Sequence, residues 1–176
     1  GREKGGGLRR RRLGHNKFFL VAVDCAGYGR TTGDKQTVRS NPGSFLAECI
    51  AAAAPEGGEQ AYCIVGSSQG CASAFNAVLE RPSLTRFLAV MDPVTHDPSR
   101  FTSLTQPVLM CYDADDAGHP VAVGRVAARY LPSPRFFEFA SRVAPLWLRD
   151  NFAREMLRMF CACDAAWERW GGSAEA

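Results

Sequence analysis

Five short apolar runs recur along the chain with longer helical patterns between them, and this alternation constrains the fold more than any other feature. The runs are Phe18 to Val23, Tyr62 to Val65, Phe87 to Met91, Val108 to Tyr112 and Arg135 to Phe139. Most are apolar throughout rather than on every second residue, as strands covered on both faces must be. The intervening segments Pro42 to Ala54, Gly70 to Leu79 and Pro120 to Leu131, and the long stretch Ala144 to Trp170, read as helices. Strand, helix, strand in succession is the signature of parallel βαβ units. The expected fold class is therefore α/β, a mostly parallel sheet flanked by helices on both faces. With no internal repeat or low-complexity linker, residues 1–176 form one expected domain, preceded by a basic segment over 1–16.

In such a sheet, ligands are bound at the carboxyl ends of the strands. Four turns placed there hold most of the polar punctuation: "DCAGYGRTTGD", "GSSQG", "MDPVTHDPSR" and "YDADDAGHP". The second matches G-x-S-x-G, with Ser68 at its centre between a strand and a helix. A serine on so tight a turn needs tiny neighbours two residues away on each side, supplied by Gly66 and Gly70. The following helix N-terminus directs N–H groups and positive dipole toward it, which favours a developing oxyanion. The fourth turn carries Asp113, Asp115 and Asp116. An acid there orients a histidine base, although an aspartate ahead of a helix also serves as an N-cap or binds backbone amides, which accounts for at least one of the three.

Together these segments resemble the α/β-hydrolase superfamily. "FFLVAVDCAGYGRT" is similar to its strand-four segment, "YCIVGSSQGCASAFNAVLERPSLTRFLAVMDP" to its nucleophile elbow with helix and next strand, and "QPVLMCYDADDAGHPV" to the segment bearing the triad acid. The matches run in family order over most of residues 17–139, so "GYG" at Gly27 to Gly29 is not a dinucleotide fingerprint. The resemblance implies Ser68 as nucleophile, Asp116 as triad acid and the Gln69 N–H as an oxyanion donor. The short connection from Pro93 to Pro107 implies a capless member.

Two departures stand against that pattern. The family's histidine belongs where this chain has Arg142 or Val143, and no histidine follows His119. His15 precedes the first strand, while His96 and His119 lie in loops at the carboxyl edge. His119, three residues beyond Asp116, is the candidate base by a rearranged route, against the plainer reading of a polar loop residue. The front of the chain is also short: it reaches the strand-four segment by Phe18, with Leu8 to Leu13 expected as the helix before it. "KGGGL" at Lys4 to Leu8 lacks the histidine of an oxyanion loop.

Two functions remain open at this point. One is an esterase-like serine hydrolase acting on a small ester, thioester or amide; the other is a catalytically degenerate relative retained as a binding module. Neither needs a cofactor or metal. The formal charge of +3 is modest and concentrated in Arg9 to Arg12, a solvated run with none of the aromatics of a nucleic-acid site. No apolar stretch nears the roughly 20 residues of a membrane span. Seven scattered cysteines, an odd number without scaffold spacing, point to a reducing, cytoplasmic setting.

Overall fold

The computed structural model describes residues 9–13, 18–53, 59–94 and 97–139, together with Arg154, Met156 and Arg158. Four strands, β3 (Ala61–Ser67), β4 (Thr85–Met91), β5 (Val108–Asp113) and β6 (Pro134–Phe139), form one parallel sheet in the order β3-β4-β5-β6. Ahead of it, β1 (Arg9–Leu13) pairs antiparallel with β2 (Phe18–Ala22), Leu13 opposite Phe18. The arginine run is thus a strand, not the expected helix. Leu8 and Leu13 alone give a helix no apolar stripe to bury, whereas antiparallel pairing with β2 satisfies the backbone of the run.

Four helices are described: α1 (Lys35–Ser40), α2 (Pro42–Ala53), α3 (Gln69–Glu80) and α4 (Val121–Ala128). In α3 the buried residues Cys71, Ala74, Phe75 and Val78 recur at helical spacing and form one stripe against the sheet. The Arg81 N–H closes the helix on the Ala77 carbonyl, and Pro82 prevents its continuation.

The central strands β4 and β5 are buried on both faces, which explains their unbroken apolar runs. Leu88, Val90, Val108, Met110 and Tyr112 face α3 and α4. Their strand neighbours Phe87, Ala89, Leu109 and Cys111 point the other way, where Met156 from a helical segment packs. Helices therefore cover both sides of the sheet. Each fully buried Leu, Val, Phe or Met side chain contributes about 1.5–3 kcal/mol, so these two strands anchor the molecule. Their carboxyl ends are the rigid floor on which the polar turns stand.

The Ala144 to Trp170 helix expectation falls on residues that, apart from helical Arg154, Met156 and Arg158, lie outside the described part. No described helix is long and apolar enough to cross a membrane.

Candidate functional site

At the end of β3 the chain turns into α3 within a single residue. That residue is Ser68, with φ 48° and ψ −117°, left-handed backbone that a residue with a Cβ adopts only under constraint. Such a conformation costs on the order of 1–3 kcal/mol and persists where its surroundings fix it. Here the Ser68 N–H donates to the Met91 carbonyl at 2.9 Å, tying the turn to β4. The Cys71 N–H donates back to the Ser68 carbonyl at 3.0 Å, starting the helix. Gly66 lets the two arms close: a Cβ there would lie 2.9 Å from Cys71 Cα. Gly70, by contrast, faces open space. The sequence motif treats the two glycines alike, but only the first is sterically required.

Two strands away, the loop after β5 folds back over the sheet edge. Asp116, buried at 7% exposure, accepts from the Gly118 N–H through Oδ1 at 2.8 Å, and its carbonyl accepts from the His119 N–H at 3.2 Å. This turn brings the imidazole against its own acid: His119 Nδ1 lies 2.8 Å from Asp116 Oδ2. The other ring nitrogen, Nε2, lies 2.9 Å from Ser68 Oγ. With Nδ1–H donated to the carboxylate, Nε2 is left as an acceptor for the serine hydroxyl proton. Ser68, Asp116 and His119 are therefore joined in one hydrogen-bonded line, although the serine and histidine are 51 residues apart. His119 thus lies within hydrogen-bonding distance of both the serine and the acid.

No protein-family model and no curated protein matches the chain. Solved structures do. A predicted CIB-like hydrolase from Thermoplasma acidophilum superposes with TM-score 0.64 and 16% identity, covering 78% of this chain and 68% of its own. The meta-cleavage product hydrolase of Pseudomonas fluorescens gives 0.66 at 12% identity, over 83% and 80%. An α/β-hydrolase from Sphaerobacter thermophilus gives 0.63 at 14%, over 82% of both chains. The chain has the α/β-hydrolase fold.

Within that fold the remaining sequence candidates divide cleanly. Gln69 opens α3, so its N–H is among the first amides of the helix, which have no partner within it. The Tyr28 hydroxyl donates to Gln69 Oε1 at 3.2 Å, linking the turn after β2 to the elbow. His15, His96, Arg142, Val143 and Lys4 to Leu8 lie outside the described residues. Of the two structural roles open to the loop aspartates, capping is not used, since the N-cap of α4 is Pro120 with no side-chain bond, and backbone-amide binding is. Asp113 and Asp116 accept from amides two residues ahead, Asp115 and Gly118, and so shape the loop itself.

Asp92 went unremarked at the sequence level. It follows β4 with φ 49°, its N–H donating to the Cys111 carbonyl at 2.8 Å and its Oδ1 accepting from the Asp113 N–H at 2.9 Å. It thus clamps the ends of β4 and β5 beneath the loop that carries Asp116 and His119. Burial raises its carboxyl above the ordinary carboxylate range. An aspartate followed by proline at the close of an apolar run was the available signal.

Cys71, beside the elbow, is no rival nucleophile. Burial pushes its thiol up to about 12, and its Sγ–H donates to the Met91 carbonyl at 3.3 Å. A cavity of about 430 Å³ opens at Ser68, lined by Arg39, Gln69, Ala72 and Val94. A second, of about 370 Å³, shares Arg39, Gln69 and Ala72 with it and extends along α1. Among the described residues no cluster of His, Cys, Asp or Glu is arranged to hold a metal ion.

Proposed function

We propose that the chain is a serine hydrolase acting on a small ester, thioester or amide through an acyl-enzyme on Ser68. The observation that carries this reading is the unbroken line from Ser68 Oγ to His119 Nε2 and from His119 Nδ1 to Asp116. Ser68 Oγ attacks the substrate carbonyl as its proton passes to Nε2. Asp116 holds the ring in the required tautomer and stabilises the imidazolium, without taking the proton itself. The Gln69 N–H, at the positive end of α3, meets the oxyanion.

Collapse of the tetrahedral adduct expels the alcohol, thiol or amine, which takes the proton from His119 and leaves the acyl group on Ser68. Water then repeats the sequence: Nε2 accepts its proton, the hydroxide adds to the acyl carbonyl, and the Ser68 oxygen leaves with the proton returned. The products are an acid and the leaving group, with the enzyme restored.

The test is stoichiometric labelling by a fluorophosphonate together with turnover of p-nitrophenyl acetate. Ser68→Ala is expected to abolish the first and lower the second by about 10⁶ in kcat where chemistry limits the rate. Equal, slow hydrolysis by both proteins would refute the proposal and leave the binding-module alternative standing.

A further inference from the structure

The cavity at Ser68 has one charged residue among its described lining residues, and it is Arg39. This arginine lies in the last turn of α1. Its side chain is exposed and makes no ion pair with a described acid. Lys35 precedes it by four residues and so occupies the same face of α1, lining the adjoining cavity that Arg39 shares. The helix, "KQTVRS", contains no acid to neutralise the two.

Arg39 lines the cavity at Ser68, and Lys35 is tied to the elbow through Tyr28. The Lys35 ammonium lies 4.4 Å over the Tyr28 ring, and the Tyr28 hydroxyl bonds the side chain of Gln69. The one acid lining the adjoining cavity is Asp24, and it is engaged: its Oδ2 accepts from the Arg30 N–H at 3.1 Å. The space in front of the serine is therefore flanked by positive charge with no acid in its described wall.

We propose that the substrate is an ester carrying a carboxylate, which Arg39 binds through its guanidinium while Lys35 reinforces the field. This rests on the serine-hydrolase reading and adds the substrate class to it. A guanidinium matches a carboxylate with two parallel N–H donors, which a lysine cannot reproduce. A hydrogen bond to a charged group of this kind corresponds to about 10–100-fold in affinity.

The experiment compares p-nitrophenyl hydrogen succinate with p-nitrophenyl butyrate, which has a neutral acyl chain of similar length. The wild-type protein is expected to favour the succinate ester in kcat/KM. Arg39→Ala is expected to reduce the ratio of the two kcat/KM values about 10–100-fold, with Arg39→Lys intermediate. A wild-type preference for the neutral ester, or an unchanged ratio in Arg39→Ala, overturns the proposal.

A second arm separates it from the hydrolase reading. Methyl hydrogen succinate is titrated by calorimetry into Ser68→Ala and into Ser68→Ala carrying Arg39→Ala, both checked for cooperative thermal unfolding. Binding lost only with the arginine supports the anion site even if no ester is turned over. Equal binding, or none to either, defeats it even where the serine is active.

Discussion

The two glycines of "GSSQG" provide the sharpest test of the elbow, because substitution by alanine should act in opposite directions. At Gly66 an added Cβ would meet Cys71 Cα at 2.9 Å, Cys71 N at 3.0 Å and the Gly70 carbonyl at 3.0 Å. All three are backbone atoms, and the shortest is about half an ångström inside ordinary contact. Relief requires β3 and α3 to separate, and overpacking of this kind costs about 1–3 kcal/mol. For a chain of this length that lowers the melting temperature by about 2–12 °C. The separation also moves Ser68 away from His119 Nε2. Misplacement by 1 Å costs about 10² in rate, so half that displacement should cost about tenfold.

At Gly70 nothing lies within 4 Å, and its φ is not positive. Alanine there restricts the unfolded chain and suits the helix, for a gain of about 0.4–1 kcal/mol, or about 1–4 °C. Gly70→Ala should therefore melt higher and retain fluorophosphonate labelling, while Gly66→Ala melts lower and labels slowly. Thermal unfolding by circular dichroism and a labelling time course suffice. If both variants lose stability alike, the steric account of the turn is wrong.

Three further outcomes are expected. His119→Ala should lower kcat by about 10⁶ and Asp116→Asn by about 10⁴, both remaining folded; an active His119→Ala would move the base elsewhere. Burial holds the Asp92 proton more tightly in the folded state than in the unfolded chain, so its contribution makes stability fall as pH rises from about 4 through the raised folded value. Asp92→Asn keeps an acceptor for the Asp113 N–H and should remove that decline, read as urea midpoints across the interval; identical pH profiles would contradict it. With its thiol raised to about 12, Cys71 should be alkylated by iodoacetamide at pH 8.5 at least about 10³ times more slowly than a free cysteine, by mass spectrometry of the digested protein; rapid modification would mean the elbow opens.

The sheet was legible because burial on both faces demands unbroken apolar runs, and β4 and β5 supply them. The elbow was legible because the tight turn requires a glycine at position 66, where a Cβ would meet Cys71, although the motif's second glycine, Gly70, is not sterically required. The arginine strand was not, since a polar run carries no periodicity to distinguish a paired edge from a helix. Asp92 was passed over because its role lies in joining two strands, which no local pattern records. For His119 the sequence supplies nearness to Asp116, three residues away, but the family's own histidine position falls near Arg142, and nothing local records an approach to Ser68.

By itself, then, the sequence determined the order of strands and helices, the strained serine and the acid that follows β5. It also determined the local Asp116 to His119 turn, whose hydrogen bonds span three residues. Only the tertiary structure decided that this turn belongs to that serine. Ser68 and His119 approach because β3, β4 and β5 lie side by side in parallel, with their carboxyl ends level and the loop after β5 folded back across β4. Side chains 51 residues apart meet through backbone hydrogen bonds that neither specifies.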